Sequence, residues 1–197
     1  MRKIFLLCII LLYTFILNGC SVGSNTNIQQ NSNTNNSVYS ENERKIVETS
    51  IASFSTPLTS GSPNRITNIK LTCNKINGLI LENGETFSFN QIVGPCTAEE
   101  GYLKAEIFVN KKIEYALGGG NCQVSTTLYN ACLQIPGITI IERHEHGRNV
   151  DYIEDGKDAT VSYNTLDFSF QNNTGSDIKL FASCDDTNVY ASINKLE

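Results

Sequence analysis

Between Ser21 and about Asn42 the chain is almost entirely Asn, Ser, Gln, Thr and Gly, with Val22, Ile28, Val38 and Tyr39 as its larger apolar residues. A segment of that composition cannot bury enough apolar surface to offset the entropy of ordering it. Any packed core is therefore confined to the more apolar stretch from about Arg44 to Glu197, close to the commonest domain size. The expectation is one folded domain over 44–197, with 20–43 as a flexible tether reaching roughly 25 Å. A net charge of −5 and a pI near 5.1 argue against nucleic acid as a partner, which would call for a basic face. Charged residues make up only 18%, too few for a charge-driven disordered chain or a long coiled coil.

The N-terminus reads as a leader. Arg2 and Lys3 precede an almost unbroken apolar run from Ile4 to Leu17, shorter than the roughly 20 residues of a spanning helix but normal for a signal-peptide core. The run closes on Leu17-Asn18-Gly19-Cys20, which resembles the lipobox of bacterial lipoproteins. That resemblance implies cleavage after residue 19, lipidation of Cys20, and a domain anchored by lipid to the outer face of the cytoplasmic membrane. Loss of Arg2 and Lys3 with the leader lowers the formal charge from −5 to −7.

Seven cysteines are an odd count, so disulfides cannot account for all of them. Cys8 leaves with the leader and Cys20 takes the lipid. Cys73, Cys96, Cys122, Cys132 and Cys184 remain, with no C-x-x-C pair to suggest a thioredoxin-like or structural-zinc site.

In the folded part, Ile66, Ile69, Cys73 and Ile76 recur at three- and four-residue steps and predict a helix over Asn64–Asn77, stopped by Gly78. Residues 79–81 and 86–89 read as strands around the Asn83-Gly84 turn, and 105–109 with 113–115 as a hairpin. Further strands are expected over 138–143, 159–163, 166–171, 178–183 and 189–193. The class is α+β: a single domain with a mostly antiparallel or mixed sheet, a central cysteine-bearing helix and one further helix.

The stretch from Gly118 to Cys132, GGGNCQVSTTLYNAC, carries the chemistry. Three glycines allow positive φ and close approach of a ligand to the backbone. Asn121 is a good helix cap, which puts Cys122 at the helix start, where unpaired N–H groups and the positive dipole end favour thiolate. The same N–H groups could hold a developing oxyanion. On the helical wheel Val124, Leu128, Ala131, Cys132 and Ile135 share one sector, so Cys132 reads as core; Cys122, Ser125, Thr126 and Tyr129 lie on the adjoining side.

A thiol nucleophile needs a base, and the chain has two histidines, His144 and His146. If the strand before them continues, both point to one face, and either could form a Cys/His dyad with Cys122. Asp158 or Asp167 could orient the imidazole, and Arg143 or Arg148 could receive a substrate carboxylate. Three scattered Cys and His residues lack the spacing of a zinc site, so neither metal nor cofactor is expected.

These residues resemble the VanW-domain family of exported proteins from Gram-positive bacteria. The similar segments are Asn64-Arg65-x-x-Asn68, Asn77-Gly78, Gly84 to Asn90, Val93-Gly94-Pro95, the Gly118–Ala131 stretch, Glu142-Arg143-x-x-His146, Gly156-x-Asp158-Ala159-Thr160-Val161 and Asp167-Phe168. The likeness runs from about Ile51 onward. Gly147 replaces a usual serine and Asn83 a usual proline. The family pattern holds the place of His146 more firmly than that of His144, which puts the base at His146.

The resemblance implies an L,D-transpeptidase-like cysteine acyltransferase that makes 3→3 cross-links between peptidoglycan stem peptides. Cys122, His146, His144 and Asp158 are its candidate catalytic residues; Gly119, Gly120, Gln123, Ser125, Thr126 and Arg143 are candidates for binding substrate. The alternatives are a cysteine endopeptidase or carboxypeptidase on wall peptides, and a non-catalytic lipoprotein that binds cell wall or glycopeptide.

Overall fold

In the computed structural model, residues 46–59, 61–109 and 112–197 are described. The expected leader, the lipobox-like segment with Cys20, and the expected tether lie outside them. Among the described residues no helix is long and apolar enough to cross a membrane.

The first element is one that periodicity does not announce. Strand β1 (Glu48–Pro57) turns Ala52, Phe54 and Thr56 inward and Ser53 and Ser55 outward. Its inward residues include one alanine and one threonine, so the apolar alternation is faint in the sequence, and a register shift between Ser50 and Ala52 breaks it further. Helix α1 (Pro63–Ile76) comes next, with Pro63 in its first turn, where proline's fixed φ and missing N–H are tolerated. Its buried face carries Arg65, Ile69, Thr72, Cys73 and Ile76. Gly78 ends it at φ +86°, a backbone state that costs glycine nothing.

Two short strands succeed it, β2 (Ile80–Leu81) and β3 (Thr86–Ser88), but they join different sheets. The helical turn α2 (Phe89–Val93) starts where Ser88 Oγ accepts from the Gln91 N–H. The expected hairpin is present as β4 (Lys104–Val109) and β5 (Lys112–Leu117). Then come the cysteine helix α3 (Asn121–Cys132), β6 (Ile138–Glu142), β7 (Ser169–Asn172), β8 (Ile178–Cys184) and β9 (Asn188–Leu196).

The α+β class is as expected, but the strands divide among three sheets rather than one. β1-β9-β8-β2 form the largest, β3-β7-β6 a second and β4-β5 a third, all by antiparallel pairing. Helix α3 lies across β9 and β1, and α1 across β8. The core forms between them, where Ile69, Cys73 and Ile76 meet Val124, Leu128 and Ala131 over Leu180, Ala191 and Ile193. Burial of one such side chain contributes about 1.5–3 kcal/mol. An aromatic group seats the second sheet against α3: Phe87 stacks on Phe170 at 5.0 Å, and Phe168 meets the Tyr129 edge at 5.7 Å.

Residues 159–163 are not a strand; an isolated bridge between Ser162 and Leu166 is all they make. The β-prone residues there are overruled by hydroxyls of α3. Thr126 Oγ1 accepts from the Ala159 N–H at 2.9 Å, and Ser125 Oγ donates to the Ala159 carbonyl at 2.5 Å. The segment is thereby pinned along the cysteine helix, which sets up the site.

Candidate active site

The glycine loop brings α3 to its starting point, and close packing accounts for two of its glycines. Gly120 has φ +115°, and a Cβ there would lie 2.7 Å from Ile69 Cγ1; one on Gly119 would lie 2.7 Å from the Glu106 carbonyl oxygen. Gly120, not Asn121, is the helix cap. The Asn121 amide is instead buried in side-chain bonds, accepting from Thr72 Oγ1 at 2.7 Å and donating to Cys96 Sγ at 2.9 Å. Cys122 is thus the second residue of the helix, still within the turn where the dipole favours an anion.

Around the Cys122 sulfur stand three groups. Thr160 Oγ1 is 3.4 Å away, and the Val161 N–H points at the sulfur from 3.5 Å. The third is the His146 imidazole, which lines the same cleft and acts electrostatically on the thiol. Burial by itself pushes the thiol up, but His146, then Thr160 and Val161, outweigh it and hold Cys122 below the ordinary thiol value. For His146 burial works the other way, favouring the neutral ring. The Cys122 sulfur and the Asp158 carboxylate reverse that and raise it above the ordinary imidazole value.

Asp158 orients the ring. Its Oδ2 takes the His146 main-chain N–H at 2.7 Å and lies 2.5 Å from Nδ1. This leaves Nε2 for the thiol and fixes the tautomer. Asp158 is 5% exposed. Burial alone would raise its carboxyl, but the main-chain and ring hydrogen bonds from His146 lower it. Its other oxygen accepts from Arg143 Nη2 at 3.2 Å. The result is a Cys–His–Asp series in which Asp158 holds the imidazole and the imidazole faces the thiol, the order of groups that thiol nucleophiles use.

The other expected residues separate. β6 stops at Glu142, so alternation does not extend to the histidines and they do not share a face. His144 turns to Glu142, with Nε2 2.8 Å from Oε1. Asp167 caps α2 by accepting from the Asn90 N–H at 2.9 Å. Arg143 packs over the Tyr129 ring at 5.3 Å and bonds Asp158, Gly156 and Glu145, so it buttresses the Asp158 loop. Ser125 and Thr126 hold Ala159. Gln123 is 1% exposed and gives its two amide hydrogens to Thr56 Oγ1 and the Pro57 carbonyl, both at 2.9 Å. With both donors engaged, its side chain has none to offer an oxyanion.

Cys122 and His146 border a cleft of about 650 Å³, together with Gly119, Gly120 and Gln123. Arg65 and Tyr152 also line it, and neither is among the site residues expected from sequence. A signal for Arg65 was available: it shares the inward face of α1 with Ile69, Thr72 and Ile76, and arginine on a buried helix face is rare without a partner or a task. Tyr152 offers no comparable pattern. Its phenol is raised by burial and so stays protonated.

The five cysteines of the described residues are free thiols. Among those residues no three His, Cys, Asp or Glu side chains converge as a metal site.

Comparison with known proteins gives the lineage. The family model described as VanW like protein matches residues 64–194. The uncharacterized protein YoaR of Bacillus subtilis (strain 168) is 42% identical over 122 residues, covering 62% of this chain and 40% of that protein. The vancomycin B-type resistance protein VanW of Enterococcus faecalis (strain ATCC 700802 / V583) is 32% identical over 136 residues, covering 66% of this chain and 49% of that protein. The chain therefore spans less than half the length of either relative. No solved structure matches it. With the matched span holding the glycine loop, the cysteine helix, both histidines and Asp158, the chain belongs to the VanW-like family.

Proposed function

We propose that the protein is a cysteine acyltransferase of the cell wall, acting on peptidoglycan stem peptides as an L,D-transpeptidase. The observation that carries the reading is the Cys122–His146–Asp158 chain opening on a cleft of about 650 Å³. A thiolate in such a setting forms thioesters with peptide carbonyls. The vancomycin-resistance name of one relative accords with a wall substrate.

In the proposed reaction the Cys122 thiolate attacks the carbonyl of the third stem residue. The developing oxyanion meets the start of α3, where the Asn121 and Gln123 N–H groups turn back to Gly118 and Gly120 carbonyls. The Cys122 N–H is the donor assigned to it. The imidazolium of His146 gives its proton to the departing amine, so D-Ala leaves and a thioester remains. An acceptor stem's side-chain amine then attacks the thioester, passing a proton to His146. The new amide is the 3→3 cross-link, and the thiolate is restored. A lipid on Cys20 and the tether of 20–43 would keep the domain near the outer membrane face.

The test is intact mass after incubation with tetrapeptide muropeptides. An adduct of the donor lacking its last D-Ala, absent in Cys122→Ala, is expected, with 3→3 dimers in the products. Hydrolysed tripeptide without dimers would instead make the enzyme a carboxypeptidase. Tight binding by Cys122→Ala with no adduct on the unmodified protein would make it a binding protein and overturn the proposal.

A further inference from the structure

We infer that Arg65 is the carboxylate-reading residue of the cleft, selecting donors whose departing residue has a free C-terminus; this rests on the acyl-transfer reading above. Arg65 lies in the first turn of α1, is 8% exposed, and lines the same cleft as Cys122. Arg143 and Arg148 are the cations near the histidines in sequence, but neither lines this cleft.

The guanidinium is held in place from two directions. Its Nη2 donates to Gln123 Oε1 at 2.8 Å. Because the Gln123 amide hydrogens both go to β1, at Thr56 and Pro57, the carbonyl oxygen of that amide has to face Arg65. Thr127 locks the arrangement further, with its hydroxyl 2.8 Å from Thr56 Oγ1 and donating to the Gln123 main-chain carbonyl at 2.7 Å. From the other side the Arg65 stem rests on the glycine loop, where a Cβ on Gly120 would lie 3.3 Å from Arg65 Cγ. Arg65 thus touches residues just before and just after Cys122 in the chain, while His146, Thr160 and Val161 reach the sulfur itself.

A guanidinium keeps its charge even when burial draws its pKa down, as it does here. Its electrostatic neighbours are Tyr152, Cys122, Glu106 and Cys184; the Glu106 carboxylate is held by Ser62 Oγ at 2.9 Å. A guanidinium lining the same cleft as the nucleophile suits a carboxylate, to which it offers a charge-assisted hydrogen bond. The positive end of α3 adds to the same wall. The carboxylate closest to a scissile carbonyl is the C-terminus of the residue that leaves, when that residue ends the chain. Arg65 therefore favours removal of a terminal residue, as in transpeptidation or carboxypeptidation, over cleavage within a peptide. The buried amide of Gln123 is a positioning residue for Arg65, which gives the Cys-Gln pair of the helix a joint role.

The experiment compares two donors on the full chain: a tetrapeptide stem ending in D-Ala with a free carboxylate, and the same stem with that carboxylate as a carboxamide. Adduct formation is followed by intact mass. The free acid is expected to acylate Cys122 at least about tenfold faster than the amide. In Arg65→Gln the ratio of acid to amide rates should fall to near one, and Arg65→Lys should recover part of the preference. Equal rates on the unmodified protein overturn the inference without any variant having to fold. Parallel slowing of both donors in Arg65→Gln also overturns it, as the mark of a structural role. If the unmodified protein forms no adduct at all, the acyl-transfer reading fails. Calorimetry on Cys122→Ala then decides Arg65 separately: a roughly tenfold tighter grip on the acid supports it, and equal affinities sink it.

Discussion

Cys122 and Cys132 stand at opposite ends of one helix, and the same side chain has opposite chemistry at the two. Cys132 is 1% exposed, in a core with Val124, Leu128 and Ala131, and burial pushes its thiol far above the ordinary value. Cys73, on α1, repeats that case and is pushed up to about 12. At Cys122 burial pushes in the same direction, but His146, Thr160 and Val161 reverse the outcome. The helix adds to the contrast, since its N-terminal end favours a thiolate and its C-terminal end disfavours one. Cys132 is sealed in the core and Cys122 is half-buried at the cleft, so access to the sulfur and the partners around it together separate the two thiols.

The largest effect expected is therefore between these thiols. Iodoacetamide at pH 7 should alkylate Cys122 on the order of 10³-fold faster than Cys132 or Cys73 in the native protein. Peptide mapping of the labelled protein reads the difference, and Cys122→Ala should remove the fast phase. Comparable labelling of Cys132 under native conditions would break the comparison, because burial without partners would then not have silenced it.

A smaller effect is expected from taking the partners away one at a time. Without the imidazole, only Thr160 and Val161 oppose burial at Cys122, so His146→Ala should raise the thiol and slow acylation about 10²-fold. Asp158→Asn should cost less, about tenfold, because it keeps the ring and loses only the carboxylate that orients and charges it. The signs are fixed by the shifts. The reactive thiolate–imidazolium pair forms above the lowered value of Cys122 and disappears above the raised value of His146. Loss of the Asp158 charge lowers His146, so the alkaline limb of the bell-shaped rate profile should move to lower pH. An alkaline limb that stays in place would mean that Asp158 does not hold the imidazolium.

The contrast between the cysteines also explains how much could be seen beforehand. Three glycines followed by a helix pattern put Cys122 at a helix start, and the apolar stripe put Cys132 in the core; both are local properties of the sequence. What surrounds each thiol is not. Thr160 and Val161 come from a segment that reads as a strand, because its Ala-Thr-Val-Ser-Tyr composition is β-prone. The hydroxyls of Ser125 and Thr126, on a distant element, pin it as a loop. β1 was invisible for a related reason: Thr56 points inward to meet Thr127 at 2.8 Å, a polar contact with no hydrophobic signature. Arg65 is the reverse case, a charge written plainly on the buried face of a helix. Asn121 reads as a cap and Gln123 as a substrate-binding residue, tasks for exposed side chains, while both are buried ties between elements.

The smallest effect tests the second histidine. His144 lies two residues from His146 and is as well placed by sequence alone, yet its side chain is 39% exposed and its ring pairs with Glu142. Glu142 is held in turn, since its Oε1 also accepts the Asp167 N–H at 2.9 Å. The part of His144 that serves the site is its carbonyl, which accepts from the Thr160 N–H at 2.8 Å and so helps to hold Thr160 beside Cys122. That bond belongs to the main chain and survives removal of the ring. His144→Ala should therefore change the acylation rate by less than about twofold, the scale of an ordinary surface substitution of about 0.5 kcal/mol. Proline at 144 would be the harsher change, because it restrains the backbone that carries this carbonyl. A tenfold loss in His144→Ala, measured by the same thioester assay, would put the ring in proton transfer and undo the assignment of the base to His146.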